Sequence, residues 1–396
     1  MLNTLYRTKP SGVCGLHGRI PQAGVQLRVL IQPVIVLATM NGIVKQRRAR
    51  LWAGFAPRPG AVAKPDALDI TEIREFSVRE PVSKNRYALL RVMTRSGLIG
   101  WGECRYDPNA DIKTLQTAWT GRPANAYATI PPASPYAAAL DMACLDILGK
   151  AANAPVYRIL GGPTRNKVRA YSWPYGQEFP ITVIELPKPA SRNQGKAYEN
   201  QVLALANAVP VERDFIVMGN GSLTPGDAAS VAKTLESKYP LWFDEPCAHS
   251  NIDALRKVGD ETVVPLGFGA GIDDPAVFQA LLREGLVDLV RPEIGIFGIS
   301  GARRIAALAE TYYVAVAPRH SGGPVGTAAA IHLAASIPNF FIQHVPLPAA
   351  EEDRAMRREI VSPALETGKD GFLQLTNSPG LGITVNESAL EKYHAS

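Results

Sequence analysis

The chain has 396 residues, 46% of them hydrophobic, which is ample for two domains or for one barrel with an attached module. The net charge of +6 is small for this length, and the basic residues are scattered apart from Lys45-Gln46-Arg47-Arg48-Ala49-Arg50, which argues against nucleic-acid binding. Four cysteines (Cys14, Cys104, Cys144 and Cys247) show no CxxC spacing, which points to reduced thiols and no structural zinc.

Residues 1–68 form a separate extension, expected to be poorly ordered. Leu27 to Met40 is apolar but short, and Arg28, Gln32 and Pro33 interrupt it, so it does not read as a membrane span. It reads as a remnant signal sequence or as translated sequence ahead of a later start such as Met40. Arg47-Arg48 before Leu51-Trp52-Ala53-Gly54 faintly resembles a twin-arginine export signal, but the apolar run is brief, and Pro57, Pro59 and Pro65 suit a linker. Folded structure is expected from Asp69. Ile70–Val78, Tyr87–Thr94 and Leu98–Cys104 read as strands, with a turn at Ser96-Gly97, and Asp111–Thr120 and Ser134–Ala151 read as helices.

From Val168 the pattern changes to short apolar segments, each followed by a helical stretch. Strands are expected near Val168, Ile181, Phe215, Leu241, Val263, Val287, Val314 and Phe340. Thr224-Pro225 opens a helix reaching about Tyr239, Asp273-Asp274-Pro275 opens another, Ser300 begins one ending near Thr311, and Gly322-Gly323-Pro324 leads into an Ala-rich helix. This alternation implies parallel βα units. Only Trp173 to Pro180 separates the first two strands, with two prolines and a glycine, so the barrel is expected to be irregular there. Leu241-Trp242-Phe243-Asp244-Glu245-Pro246 reads as a strand buried on both faces that ends in an acidic pair. In a parallel barrel that end is the catalytic face.

Trp242-Phe243-Asp244-Glu245-Pro246, Val287-Asp288-Leu289-Val290-Arg291-Pro292-Glu293 and Ala317-Pro318-Arg319-His320-Ser321-Gly322-Gly323-Pro324 together resemble the enolase superfamily, in its mandelate racemase/muconate lactonizing branch. Ala139–Lys150 followed by Pro155–Gly162 is similar to the helix leading into that family's barrel. The resemblance covers roughly residues 69–391. It implies a modified TIM-type (β/α)7β barrel at 161–346, an α+β capping domain at 69–160 with a Gly102-Glu103 turn, and a C-terminal segment, 347–396, returning to the cap through Pro379–Val385.

The resemblance also implies a chemistry. Three acidic ligands on the third, fourth and fifth strands hold Mg²⁺, which stabilises the enediolate formed when a base removes the proton α to a carboxylate. Here those positions hold Met218, Asp244 and Ala270, so Asp244 is the one competent metal ligand, and Mg²⁺, expected from the family, has lost two. The second-strand lysine pair is replaced by Ile184 and Leu186, or by Val183 and Glu185 in a register slipped by one; Lys188 lies just beyond. Glu293 and His320 are the other catalytic candidates, resembling a carboxylate–imidazole dyad. Arg319, Glu245 and Asn220 are the substrate-binding candidates, although Arg291 and Arg319 have an alternative as partners of Glu293 or Asp244. Asp244-Glu245 also reads as a plain acidic turn, His320 as a loop hydrogen-bonder, Asp273 and Asp274 as helix caps, and His249, His332 and His344 as surface or packing residues.

Two functions follow. One is a lyase or isomerase related to acid-sugar dehydratases and racemases, altered or reduced in activity, working on a hydroxy-carboxylate with a depleted metal site or with Arg319 replacing the cation. The other is a non-catalytic carboxylate-binding or oligomeric scaffold. Either is expected in the cytoplasm as a homo-oligomer, with a small-molecule carboxylate as ligand and no nucleic-acid or membrane partner.

Overall fold

The computed structural model describes residues 66–175, 179–190 and 194–394. The expectations for Leu27–Met40, Lys45–Arg50 and Cys14 lie outside those residues. Three antiparallel strands come first, β1 (Ile70–Arg79), β2 (Arg86–Thr94) and β3 (Ile99–Arg105), in the order β1-β2-β3. Gly97, at φ 81°, makes the β2–β3 turn. Helix α1 (Ile112–Trp119) starts at Asp111, whose carboxylate accepts hydrogen bonds from the amides of Lys113 and Thr114. Helix α2 (Ala137–Ala151) is buried along most of its length against β3. The expected Gly102-Glu103 turn is instead the middle of β3. Gly102 is there because α2 crosses it closely: a methyl group on Gly102 would collide with the Ala139 carbonyl. A short helix α3 (Val156–Ile159) leads out of this unit.

Eight parallel strands follow, interleaved with helices. They are β4 (Lys167–Ser172), β5 (Thr182–Glu185), α4 (Gly195–Asn207), β6 (Phe215–Met218), α5 (Pro225–Leu235), β7 (Phe243–Asp244), α6 (Ile252–Glu261), β8 (Leu266–Phe268), α7 (Pro275–Arg283), β9 (Leu289–Val290), α8 (Ile294–Thr311), β10 (Ala315–Val316), α9 (Pro324–Ala334) and β11 (Gln343–Val345). The C-terminal segment adds α10 (Glu351–Ile360), β12 (Val361–Ser362), β13 (Phe372–Gln374), β14 (Thr384–Val385) and α11 (Glu387–Lys392).

The strands form a parallel run β10-β9-β8-β7-β6-β5 and a second group β11-β4-β13, with a Val316–Phe340 bridge between the two. The irregular first unit takes a definite form. Among the described residues no helix joins β4 to β5, and the edge of β4 that would meet β5 pairs antiparallel with β13 instead. Gly368 and Gly371 lie in contact with Phe179 and Pro180 at that seam, where a side chain would not fit.

Side chains alternate strictly along the strands. Ile184, Phe215, Val217, Phe243, Leu266, Phe268, Val290 and Val316 join the core beneath the outer helices. Tyr171, Ile181, Ile216, Trp242, Leu289, Ala317 and Ile342, with Val183, fill the barrel. This settles the register of β5: Ile184 and Leu186 face the helices, so Val183 and Glu185 occupy the inward positions.

Two helix boundaries differ from the sequence reading. Helix α5 ends at Leu235, because residues 236–238 tighten into a 3₁₀ turn and Tyr239 adopts φ 52°. Helix α8 begins a turn before Ser300 and breaks at Gly298 (φ 64°, ψ −171°), where Asp141 of α2 accepts the Ser300 amide at 2.9 Å and caps the restart. Asp274, as expected, caps α7 by accepting the Ala276 amide. The C-terminal segment returns to the first unit: Leu381 donates its amide to Asp146 at 2.8 Å, and His394 bridges to Val78. Cys104, Cys144 and Cys247 are buried free thiols. Among the described residues no helix is long and apolar enough to cross a membrane.

Gly102→Ala is expected to destabilise by about 2–3 kcal/mol, since α2 must shift to admit the methyl. Gly226→Ala in α5 meets open space and is expected to stabilise by up to about 1 kcal/mol. Chemical denaturation of the two variants measures both.

Candidate functional site

The strand ladders set Glu185, Met218, Asp244, Gly267 and Leu289 side by side across five strands. Asp244 is 2% exposed, and both of its oxygens are engaged. Trp242 Nε1 donates to Oδ1 at 3.2 Å, and Arg291 Nη1 donates to Oδ2 in a short ion pair. Arg291, also 2% exposed, donates from Nη2 to the Tyr171 hydroxyl at 2.5 Å. Burial opposes the charged guanidinium, but Asp244, Tyr171 and Glu245 outweigh it and hold its pKa above the ordinary value. Burial pushes the Tyr171 hydroxyl up to about 12. Of the two partners open to Arg291, Asp244 is the one it takes.

Glu245 turns onto the backbone that follows β8. Its backbone sits at φ 44°, and one carboxylate oxygen accepts the amides of Gly269 and Ala270 at 2.5 and 2.6 Å. At 4% exposure, the carboxylate expected to contact substrate is occupied by backbone amides. Burial, then the neighbouring Asp244 charge, raises its pKa to about 7.

The second cluster lies at the ends of β9 and β10. His320 is fully buried between two carboxylates, with Nδ1 3.7 Å from Glu293 and Nε2 3.6 Å from Glu103 of β3. These are ion-pair distances. The hydrogen bond of the ring runs from Nε2 to the Gly323 carbonyl at 2.8 Å. Burial opposes a charged ring, yet Glu293 and Glu103 together raise the His320 pKa. Burial would raise Glu293 too, but His320 and Arg319 more than offset it, taking it to about 2. Arg319 Nε lies 3.6 Å from Glu293 and keeps 27% of its side chain exposed. The Glu103 carboxylate accepts the amides of Gly323 and Gly326, at the start of α9. Nothing in the sequence reading tied Glu103 to this cluster, because its partners lie more than 200 positions away.

Arg357 of α10 braces the same region, donating to Glu80 (2.7 Å), Glu366 (2.8 Å) and the Gly322 carbonyl (2.9 Å). The remaining candidates sit on the rim. Lys188 is exposed and lines a cavity of about 560 Å³ with Glu185, Pro187, Asn220 and Ser222; Asn220 donates to Glu185 at 2.7 Å. His344 and His332 are buried packing residues, and burial lowers them to about 3 and about 4.

Residues 188–389, more than half of the chain, match the family model described as enolase C-terminal domain-like. Residues 74–161 match the mandelate racemase / muconate lactonizing enzyme N-terminal domain. The chain belongs to the mandelate racemase/muconate lactonizing enzyme branch of the enolase superfamily. This family member is 27% identical over 285 residues to a D-gluconate dehydratase of Thermoproteus tenax, covering 65% of this chain and 56% of that one. It is 27% identical over 375 residues to a D-galactonate dehydratase family member of Streptomyces bingchenggensis, covering 78% and 89%. An enolase from Agrobacterium radiobacter, a candidate galactarate dehydratase solved with sodium and L-malate, is 26% identical, with a TM-score of 0.70 over 83% of this chain and 95% of that one. A candidate dehydratase from Salmonella enterica shares the fold, with a TM-score of 0.73 at 24% identity over 83% and 99%.

The Mg²⁺ implied for a mandelate racemase/muconate lactonizing enzyme relative does not fit the donors present. Mg²⁺ takes hard oxygen ligands in octahedral array. Met218 offers a thioether, Ala270 offers no side-chain donor, and Asp244 already holds Arg291 and Trp242. Among the described residues no three His, Cys, Asp or Glu side chains are grouped to hold a metal.

Asp244→Asn and Arg291→Gln are each expected to cost about 3–5 kcal/mol, because each leaves a buried charge unpaired, and the double variant less than their sum. A double-mutant cycle by denaturant unfolding checks this. The Glu245 carboxyl, at about 7 folded against about 4.3 unfolded, contributes stability that is complete below pH 4.3 and lost as pH rises through 7. Glu245→Gln is therefore expected to match the wild type near pH 4.5 and to exceed it by on the order of 1–3 kcal/mol at pH 8.

Proposed function

We propose that this chain binds a small hydroxy-carboxylate of the acid-sugar class at the C-terminal mouth of its barrel, in the cytoplasm and as a homo-oligomer, with Mg²⁺-dependent proton abstraction weak or absent. The observation that carries this is the Asp244–Arg291 pair: the remaining acidic ligand position is neutralised from within, while a cavity of about 560 Å³ stays open at the ends of β5 and β6. Lys188 and Asn220 line that cavity and offer an ammonium and an amide to a carboxylate and its hydroxyls. Arg319 adds a partly exposed guanidinium at the end of β10. The names of the relatives support the ligand class, since they include a D-gluconate dehydratase and a D-galactonate dehydratase family member.

The alternative is an active dehydratase or racemase working through His320 and Glu293. The geometry favours it less. The His320 ring is fully buried, and its Nε2 is already bonded to the Gly323 carbonyl at 2.8 Å, so that nitrogen is not open to a substrate. Glu103 stands on its other side.

Calorimetry of the full chain against gluconate, galactonate and galactarate tests the proposal. Binding is expected without added Mg²⁺ and about tenfold weaker in Lys188→Ala or Arg319→Ala, or both. Formation of a 2-keto acid product that requires Mg²⁺, or no binding of any acid sugar, contradicts it.

A further inference from the structure

We propose that Arg291 takes the place of the divalent cation in this barrel, with its guanidinium holding the Asp244 carboxylate and keeping metal ions off it. This deepens the reading that Mg²⁺ chemistry is lost here, and rests on it.

Four observations converge. The guanidinium is bound at two points, Asp244 and Tyr171, and both charged side chains are sealed from solvent. The second Asp244 oxygen is taken by the Trp242 indole, whose ring lies 5.5 Å from the guanidinium carbon. The flanking positions in the ladder, Met218 and Gly267, bring no anion. Glycine at 267 also makes room, since a methyl there would lie 2.7 Å from the Trp242 ring and 3.4 Å from Arg291 Cδ. The nearest other carboxylate in sequence, Glu245, is turned to the amides of Gly269 and Ala270.

One carboxylate and one guanidinium therefore balance without an ion. A divalent cation reaching Asp244 would have to displace a like-charged group in a poorly screened interior. The replacement changes what the site can do. A guanidinium offers N–H donors in a plane and has no open coordination position, so it can hold an anion but cannot polarise an oxygen as a Lewis acid.

Sensitised Tb³⁺ luminescence tests this in the full chain, because an ion on Asp244 would sit beside the Trp242 indole. The wild type is expected to show no emission beyond that of its Asp244→Asn variant. Met218→Asp/Ala270→Glu, which supplies two carboxylates and keeps Arg291, is expected to remain silent. Adding Arg291→Gln to that pair is expected to raise Tb³⁺ affinity on the order of tenfold or more, with Mg²⁺ competing and raising the melting temperature. If the double variant binds as tightly as the triple, Arg291 is not the excluding group and the proposal fails, while the metal-free reading survives. If the wild type binds through Asp244, that reading fails as well. Should the triple variant not fold with or without metal, the double variant decides: silence supports the proposal, and emission abolished by Asp244→Asn overturns it.

Discussion

A buried carboxylate must be neutralised, and in this barrel Arg291 neutralises Asp244. Much of the interior follows from that constraint. Gly267 leaves space for the arginine stem, Tyr171 receives the second guanidinium arm, and the Trp242 indole donates to the free carboxylate oxygen. Each side chain comes from a different strand or strand position, so the pair also binds β4, β7 and β9 together across the barrel. A constellation built to present oxygens to a metal would leave those oxygens open; this one closes them.

The mouth obeys a related rule. His320 lies between Glu293 of the barrel and Glu103 of the antiparallel sheet, and Glu103 also receives the first amides of α9. Arg357 carries the same linkage to the C-terminal segment through Glu80, Glu366 and the Gly322 carbonyl. Charges that in a looser site would be available to a ligand are here committed to holding the two parts of the fold together. Among the described residues, Lys188, Glu185, Asn220, Ser222 and the exposed portion of Arg319 are polar groups at the mouth that still face outward.

Most of the architecture was legible because it rests on local patterns. Alternating apolar segments placed all eight barrel strands, Thr224-Pro225 and Asp274-Pro275 marked helix starts, and the short Trp173–Pro180 link pointed to the irregular first unit. The register of β5 was not legible: Ile181, Val183, Ile184 and Leu186 give no clean polar alternation, and only packing against α4 decides which face is which. The site was legible as a set of positions and not as partnerships. Asp244 and Arg291 are 47 residues apart, and Glu103 and Gly323 are 220 apart, distances over which no sequence periodicity acts. The direction of Glu245 depends on a left-handed backbone at a non-glycine residue, which sequence spacing does not announce. The β13 strand across the seam is three residues long and carries no pattern of its own.

The most direct measurement is anomalous diffraction from crystals of the full chain soaked in Mn²⁺. A continuous Asp244–Arg291 contact is expected, with no anomalous peak within bonding distance of the Asp244 carboxylate. A manganese peak on Asp244, with Arg291 swung away from it, would show that the barrel has kept its metal and that the internal ion pair is only its resting arrangement.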